Sequence, residues 1–163
     1  MARFRAGLVA SAAFVTAVAV GWWSGSEPAV YPATVVDTID GDTIVVRYDD
    51  GRTETVRILG IDTPETKHPT AGIECFGPEA SAYTSARLRG ARVVIELDVE
   101  PFDDYGRRLS HVRVDGHSYA DELLQLGLAE MFAIAPNDAR AREQLAIELD
   151  ARAAGAGLWT ACA

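Results

Sequence analysis

A chain of 163 residues with 48% hydrophobic and 24% charged residues is one domain's worth of ordinary globular sequence, which excludes a collagenous, coiled-coil or wholly disordered molecule. The net charge is −9, and only one of its fifteen basic residues is a lysine, Lys67. That balance excludes a protein that holds long polyanions by bulk electrostatics, and its plain reading is solubility.

Residues 1–26 have the layout of a targeting segment. Arg3 and Arg5 make a short basic start, residues 6–23 carry no charge, and Ser24, Gly25 and Ser26 precede the first acid, Glu27. The uncharged stretch is long for a cleaved leader and barely long enough to span a bilayer, and Trp22 and Trp23 suit a membrane interface. Cleavage after Ser26 and retention as an amino-terminal anchor both remain open, and either exports the rest of the chain. Export permits disulfides. With only Cys75 and Cys162 present, the simplest reading is one bridge between the tail and the loop near residue 75, the alternative being two unrelated thiols. Such a bridge stabilises by roughly 4 kcal/mol on chain-entropy grounds.

Residues 27–32, with Pro28 and Pro32, read as a linker to a domain over 33–163. Strands are expected over residues 33–37, 43–48, 53–61, 92–98 and 109–114, with Asp50-Gly51 and Asp115-Gly116 as turns. A helix is expected from Pro78 to the stop at Gly90, a second over 118–126 before Gly127, and a third capped by Asn137 or Asp138 and running to Gly155. In the third, Ala141, Leu145, Leu149 and Ala153 recur at four-residue spacing and predict one buried stripe. Five short strands with about three helices predict an α+β protein built on an OB-type five-stranded barrel.

Two acidic clusters carry the chemistry. Asp40-Gly41-Asp42-Thr43 opens one strand; Arg57 and then Asp62-Thr63-Pro64-Glu65 close the next. The intervening hairpin brings them to the same end. Asp42, Asp62 and Glu65 together need a cation, and an all-oxygen set favours a hard one such as calcium or magnesium. Taken singly, Asp-Gly-Asp is an ordinary turn and Asp-Thr-Pro-Glu an ordinary helix cap. Arg57 sits in an apolar run and needs an anionic partner, either a structural acid or a bound phosphate. Its face depends on whether the turn at Asp50-Gly51 has two residues or three. A third element, residues 103–108, presents Arg107 after Gly106. The histidines at 68, 111 and 117 lack zinc-site spacing and read as loop and surface residues.

The sequence resembles the staphylococcal nuclease family from about Pro32 to Trp159. The likeness rests on Asp40-Gly41-Asp42-Thr43, Arg57, Asp62-Thr63-Pro64-Glu65-Thr66-Lys67-His68-Pro69, Gly77-Pro78-Glu79-Ala80-Ser81, Tyr105-Gly106-Arg107, Gly127-Leu128-Ala129 and Leu158-Trp159, in that order. The resemblance implies calcium (Ca2+) held by the carboxylates of Asp42 and Asp62 and the carbonyl of Thr63. Glu65 would act as general base or orient the attacking water, and Arg57 and Arg107 would bind the phosphate. Such proteins cut DNA and RNA to leave 3′-phosphate ends. Tyr105 and Phe132 are the substrate-binding candidates, Phe132 as a ring on which a base can stack. The family's nucleotide-binding lysines and tyrosine pair have no match: Thr70-Ala71 follows Pro69, Asp104 stands beside Tyr105, and Phe132, Ala133 and Ile134 occupy the shortened pocket stretch. The expected substrates are therefore single-stranded or frayed, and the expected form is a secreted or surface-anchored monomer. A non-catalytic nucleic-acid or protein-binding module of the same fold is the alternative; all five charged catalytic positions are retained, which argues against it.

Overall fold

The computed structural model describes residues 29–66 and 72–163, so the leader, His68 and Lys67 lie outside the described residues. Three strands open the fold as an antiparallel meander: β1 (Val30–Thr38), β2 (Thr43–Tyr48) and β3 (Thr53–Ile58). β1 starts at Val30, so residues 30–32, read as linker, are paired with β5 (Arg92–Phe102). β5 turns back into β6 (Arg108–Val114), and β6 runs parallel to β3, Val56 opposite Arg108, which closes the five-stranded barrel expected from the sequence. Val35, Ile44, Val46, Val56, Ile58, Ile95, Val112 and Val114 are buried and belong to one hydrophobic core, as the β-branched alternation of their strands requires.

The expected strand over 53–61 breaks in two. Leu59 separates β3 from β4 (Gly60–Asp62), which leaves the barrel and pairs with β8 (Glu130–Phe132). Gly60 makes the break: its φ is +88°, and a β-carbon there would run into the side chain of Gln144.

Helix α1 (Gly77–Leu88) carries Pro78 in its first turn and ends before Gly90. It joins the barrel where the Gly90 N–H donates to the Val35 carbonyl and the Val35 N–H to that of Ala91. A two-residue strand, β7 (His117–Ser118), leads into α2 (Tyr119–Gln125), capped by the Ser118 hydroxyl. The third helix, α3 (Ala141–Ala154), ends at Gly155 as expected but begins late. Asn137 is not its cap: it is buried, its side-chain oxygen accepting from the Glu100 N–H at 2.7 Å and its amide donating to the Glu100 carbonyl at 2.9 Å. The predicted apolar stripe of α3 is also overturned. Leu145 and Leu149 are exposed, and the buried face is Gln144, Glu148 and Ala151. Glu148 is turned inward by a backbone that needs an acceptor, the Met131 N–H at 2.6 Å. A one-turn helix, α4 (Leu158–Ala161), closes the chain, and Cys162 after it is disulfide-bonded to Cys75.

His111 is a correction of another kind. It is buried, with Nε2 3.2 Å from a carboxylate oxygen of Asp98, so only His117 among the described histidines is a surface residue.

At the end of the barrel, Glu54 accepts from Arg108 Nε and Nη2 at 2.9 and 3.0 Å and from the Tyr48 hydroxyl at 2.9 Å. Hydrogen bonding from Arg108 leads in holding the Glu54 carboxyl below its ordinary 4.5, against desolvation. A depressed folded pKa means that this stabilisation is complete above pH 4.5 and is lost as pH falls through the lowered value. Glu54→Gln should therefore cost about 1–3 kcal/mol at neutral pH, and the gap to the parent should shrink at pH 3. Thermal melts of both proteins at the two pH values measure it; a pH-independent gap would refute the assignment.

Candidate active site

The turn between β2 and β3 decides where Arg57 points. The Tyr48 N–H donates to the Arg52 carbonyl at 2.9 Å and the Gly51 N–H to the Tyr48 carbonyl at 3.0 Å, with Gly51 at φ +89°. That is the three-residue bulged loop. Val56 and Ile58 then fill the barrel, and Arg57 faces the opposite way, 6% exposed, into a cleft of about 390 Å³. Asp40, Asp42, Thr43, Asp62, Thr63, Glu65 and Arg107 line the same cleft, so four separate segments deliver the predicted residues to one place.

Arg57 is the hub. Its Nη1 donates to the carbonyls of Ile58 and Ile61 at 2.8 and 2.7 Å, and its Nη2 lies 2.7 Å from Asp62 and 3.3 Å from Asp42. The break at Leu59–Gly60 is what turns these carbonyls toward the guanidinium. Asp42 is almost wholly buried and also accepts from the Thr43 hydroxyl at 2.9 Å and the Thr63 N–H at 3.0 Å. Desolvation in the cleft lifts the Asp62 carboxyl above the usual range; Arg57 opposes the shift, and Asp42 and Glu74 add to it.

Gly41 lets the two acidic segments touch: a β-carbon there would lie 2.7 Å from the Thr63 hydroxyl oxygen. Its carbonyl accepts from Thr84 Oγ1 at 2.8 Å, and Thr84 accepts from the Tyr119 hydroxyl at 2.9 Å. Both helices thus hold the Asp40–Asp42 loop from behind. Neither Thr84 nor Tyr119 was marked by any sequence motif.

Asp40 belongs to the first acidic cluster, but the sequence assigns it no role of its own. It is buried, and its carboxyl is pushed up to about 6, by desolvation first and then by a side-chain hydrogen bond with Glu65. It also accepts from the Thr66 hydroxyl at 3.1 Å. Glu65 accepts from the Thr66 N–H at 3.0 Å, and its side chain is half-buried at the edge of the cleft.

Arg107 enters from the turn between β5 and β6. Its Nε donates to Asp103 at 2.6 Å, and Asp103 also accepts the backbone N–H groups of Tyr105 and Arg107. Burial pushes the Asp103 carboxyl up, and these hydrogen bonds outweigh it and hold the group below its usual range. Tyr105 is 86% exposed, with the Arg107 guanidinium carbon 5.4 Å from its ring centroid. Phe132 lies outside the main cleft. It lines the adjoining depression with Asp62, Thr63, Pro64, Glu74, Glu130 and Met131, and is half-exposed.

The donor chemistry fits a hard cation. Asp40, Asp42, Asp62 and Glu65 offer carboxylate oxygens to one cleft, and no thiol or imidazole lines it. Among the described residues no three acidic, histidine or cysteine side chains already converge as a ligand set. Arg57 Nη2 lies within 3.3 Å of both Asp42 and Asp62.

Comparison with known proteins identifies the family. The family model described as staphylococcal nuclease homologue matches residues 55–161, from the strand that carries Arg57 to the last helical turn. The chain belongs to the staphylococcal nuclease homologue family. A shorter match, to the model for the Tudor domain of the DNA repair protein Crb2, covers residues 21–61; it takes in Asp42 and Arg57 but stops before Asp62, Glu65 and Arg107. Among curated relatives, the chain is 42% identical over 100 residues to a thermonuclease of Staphylococcus intermedius, covering 61% of this chain and 59% of that one. It is 41% identical over 106 residues to the endonuclease YncB of Bacillus subtilis (strain 168), covering 64% and 50%. It is 36% identical over 129 residues to the SPbeta prophage-derived endonuclease YokF of the same organism, covering 78% and 43%. The chain thus spans about half the length of these relatives. The family's barrel-with-helices architecture is the one described above.

Proposed function

We propose that this chain is a calcium-dependent nuclease that hydrolyses phosphodiester bonds of DNA and RNA to leave 3′-phosphate and 5′-hydroxyl ends. The observation that carries the proposal is the convergence of Arg57, Arg107, Asp42, Asp62 and Glu65 on one cleft. The names of the relatives, a thermonuclease and two endonucleases, support the reaction class.

Asp42 and Asp62, with the Thr63 carbonyl, would hold the calcium ion. When bound it supplies Lewis-acid polarisation of a phosphoryl oxygen. The chain's own residues do the rest. Glu65 orients a water and accepts its proton as the water oxygen bonds to phosphorus. The bond from phosphorus to the 5′ oxygen breaks, and Arg107, which also lines the cleft, stabilises the leaving oxygen until it takes a proton from solvent. Arg57, held in place by its Nη1 bonds to the Ile58 and Ile61 carbonyls, brings a fixed positive charge to the phosphoryl oxygens, where charge accumulates. Tyr105, exposed beside Arg107, suits stacking of a base next to the scissile phosphate, and Phe132 a base on the side of Asp62.

The acidic balance and the single lysine support single-stranded or frayed substrates. The composition of residues 1–26 and the Cys75–Cys162 bridge support export, by cleavage or by retention of that segment as an anchor. The decisive assay is digestion of single-stranded DNA, duplex DNA and RNA, with calcium and with chelator, across a salt series. Acid-soluble nucleotides should appear only with calcium, fastest from single strands, and with a shallow salt dependence. Calcium binding without cleavage of any substrate would instead mean a binding or structural module.

A further inference from the structure

Glu65 is held by a residue that lies outside every motif of the site. Its N–H donates to the Glu74 carboxylate at 2.9 Å, and the Glu74 N–H donates to the Glu65 carbonyl at 2.9 Å. Gly77, at the start of α1, braces the same backbone: a β-carbon there would lie 3.0 Å from the carbonyl oxygens of both Pro64 and Glu65. Glu74 brings a further negative charge close enough to Asp62 to raise that carboxyl. Such a charge is a liability for a cleft already rich in carboxylates, unless the bond it makes to Glu65 matters.

The next residue along is Cys75, bonded to Cys162 across a separation of 87 residues. Cys162 is firmly seated. Its N–H donates to the Leu158 carbonyl at 2.9 Å, Leu158 is buried, and the Leu158 N–H donates to the Gly127 carbonyl at 2.9 Å. Both cysteines are exposed, so a thiol reductant can reach the bridge. A continuous set of contacts therefore runs from the carboxy-terminal turn through the disulfide to Glu74 and on to the backbone of Glu65.

We propose that Glu74 is a positioning residue for Glu65, and that the Cys75–Cys162 bridge holds Glu74 in place, so that turnover depends on the bridge being intact. The proposal rests on the nuclease reading for its activity readout. Displacing a proton acceptor by a fraction of an ångström lowers the rate of the chemical step while leaving substrate binding almost untouched.

The test compares Glu74→Ala, Glu74→Gln and the double variant Cys75→Ser/Cys162→Ser with the parent, using single-stranded DNA and calcium. Glu74→Ala should lower kcat roughly ten- to a hundredfold, with KM almost unchanged. Glu74→Gln keeps an oxygen that accepts from the Glu65 N–H and should restore most of the loss. The bridge-free variant should lose kcat in the same way, and adding Glu74→Ala to it should cost much less than the product of the two effects. Dithiothreitol, itself oxidised to its cyclic disulfide as Cys75 and Cys162 become thiols, should lower parent activity and not that of the bridge-free variant. Amide exchange at Glu65 should speed up in Glu74→Ala and in the bridge-free protein. A parent-like kcat in Glu74→Ala, an equal loss in Glu74→Gln, or fully multiplicative effects would overturn the proposal. If the parent cleaves nothing, the nuclease reading fails by itself and amide exchange still decides the clamp. If the bridge-free chain does not fold, the two Glu74 variants decide it in the oxidised protein.

Discussion

Replacing Glu65 with glutamine should abolish most turnover and leave the fold intact. The change keeps the size of the side chain and an oxygen for the Thr66 N–H, so the local turn is preserved. What disappears is the ability to accept a proton, which for a positioned general base is worth about 10²–10⁴ in rate. The environment makes the separation clean. Glu65 shares a hydrogen bond with Asp40, whose carboxyl is raised to about 6 first by burial and then by that contact. A glutamine amide can donate to Asp40 without placing two like charges together, so the variant should melt no lower than the parent. Single-turnover cleavage gives the rate and circular dichroism the melting temperature. Parent-like turnover would remove Glu65 from the mechanism, and a large drop in melting temperature would make it a structural residue.

The parts of the fold that were legible in the sequence are those where local chemistry and tertiary packing ask for the same residue. Pro78, Gly90, Ser118 and Gly155 bound helices because a fixed φ, a left-handed φ or a side-chain acceptor is needed at those ends whatever the surroundings. The five strands follow for the same reason from their alternating β-branched residues. The failures fall where a distant group sets the requirement. The four-residue spacing of Leu145 and Leu149 looks like a core stripe, yet that face is exposed, because Glu148 turns inward to accept from the Met131 N–H and Gln144 packs against the bend at Gly60. Asn137 has the chemistry of a helix cap and is used to pin β5.

The site divides in the same way. Asp42, Asp62, Glu65 and Arg107 were readable because charges clustered in or beside turns stand out, and Arg57 because it interrupts the apolar run of a strand. The face of Arg57 was not, since it hangs on one residue in the turn at Gly51. The role of Asp40, and Glu74 and the Thr84–Tyr119 pair altogether, escape the sequence for a different reason. Each acts through a partner 9 to 43 positions away, such as Glu74 on Glu65 and Thr84 on the Gly41 carbonyl, and a single sequence carries no sign of such a contact. Isolated Gly60, inside an apolar run, was the one local clue that the strand breaks there and turns its carbonyls to Arg57.

Arg57 is the residue whose loss should damage both stability and rate. Methionine matches its stem but leaves the buried Asp42 carboxylate without its guanidinium partner and the Ile58 and Ile61 carbonyls without their donor. Breaking a buried pair from one side costs about 3–5 kcal/mol, and losing a preorganised donor to the transition state costs about 10²–10³ in kcat. Lysine separates the two effects. One ammonium cannot reach two carbonyls and two carboxylates at once, so Arg57→Lys should recover part of the stability and little of the rate. Calcium supplies a third readout. In the parent, a cation entering between Asp42 and Asp62 would have to compete with Arg57 Nη2; in Arg57→Met that competitor is gone. Added calcium should therefore raise the melting temperature of Arg57→Met by more than it raises that of the parent. Equal shifts would mean that the ion binds elsewhere. A lysine variant with parent-like kcat would mean that a point charge suffices and that the fork of Arg57 serves the fold alone.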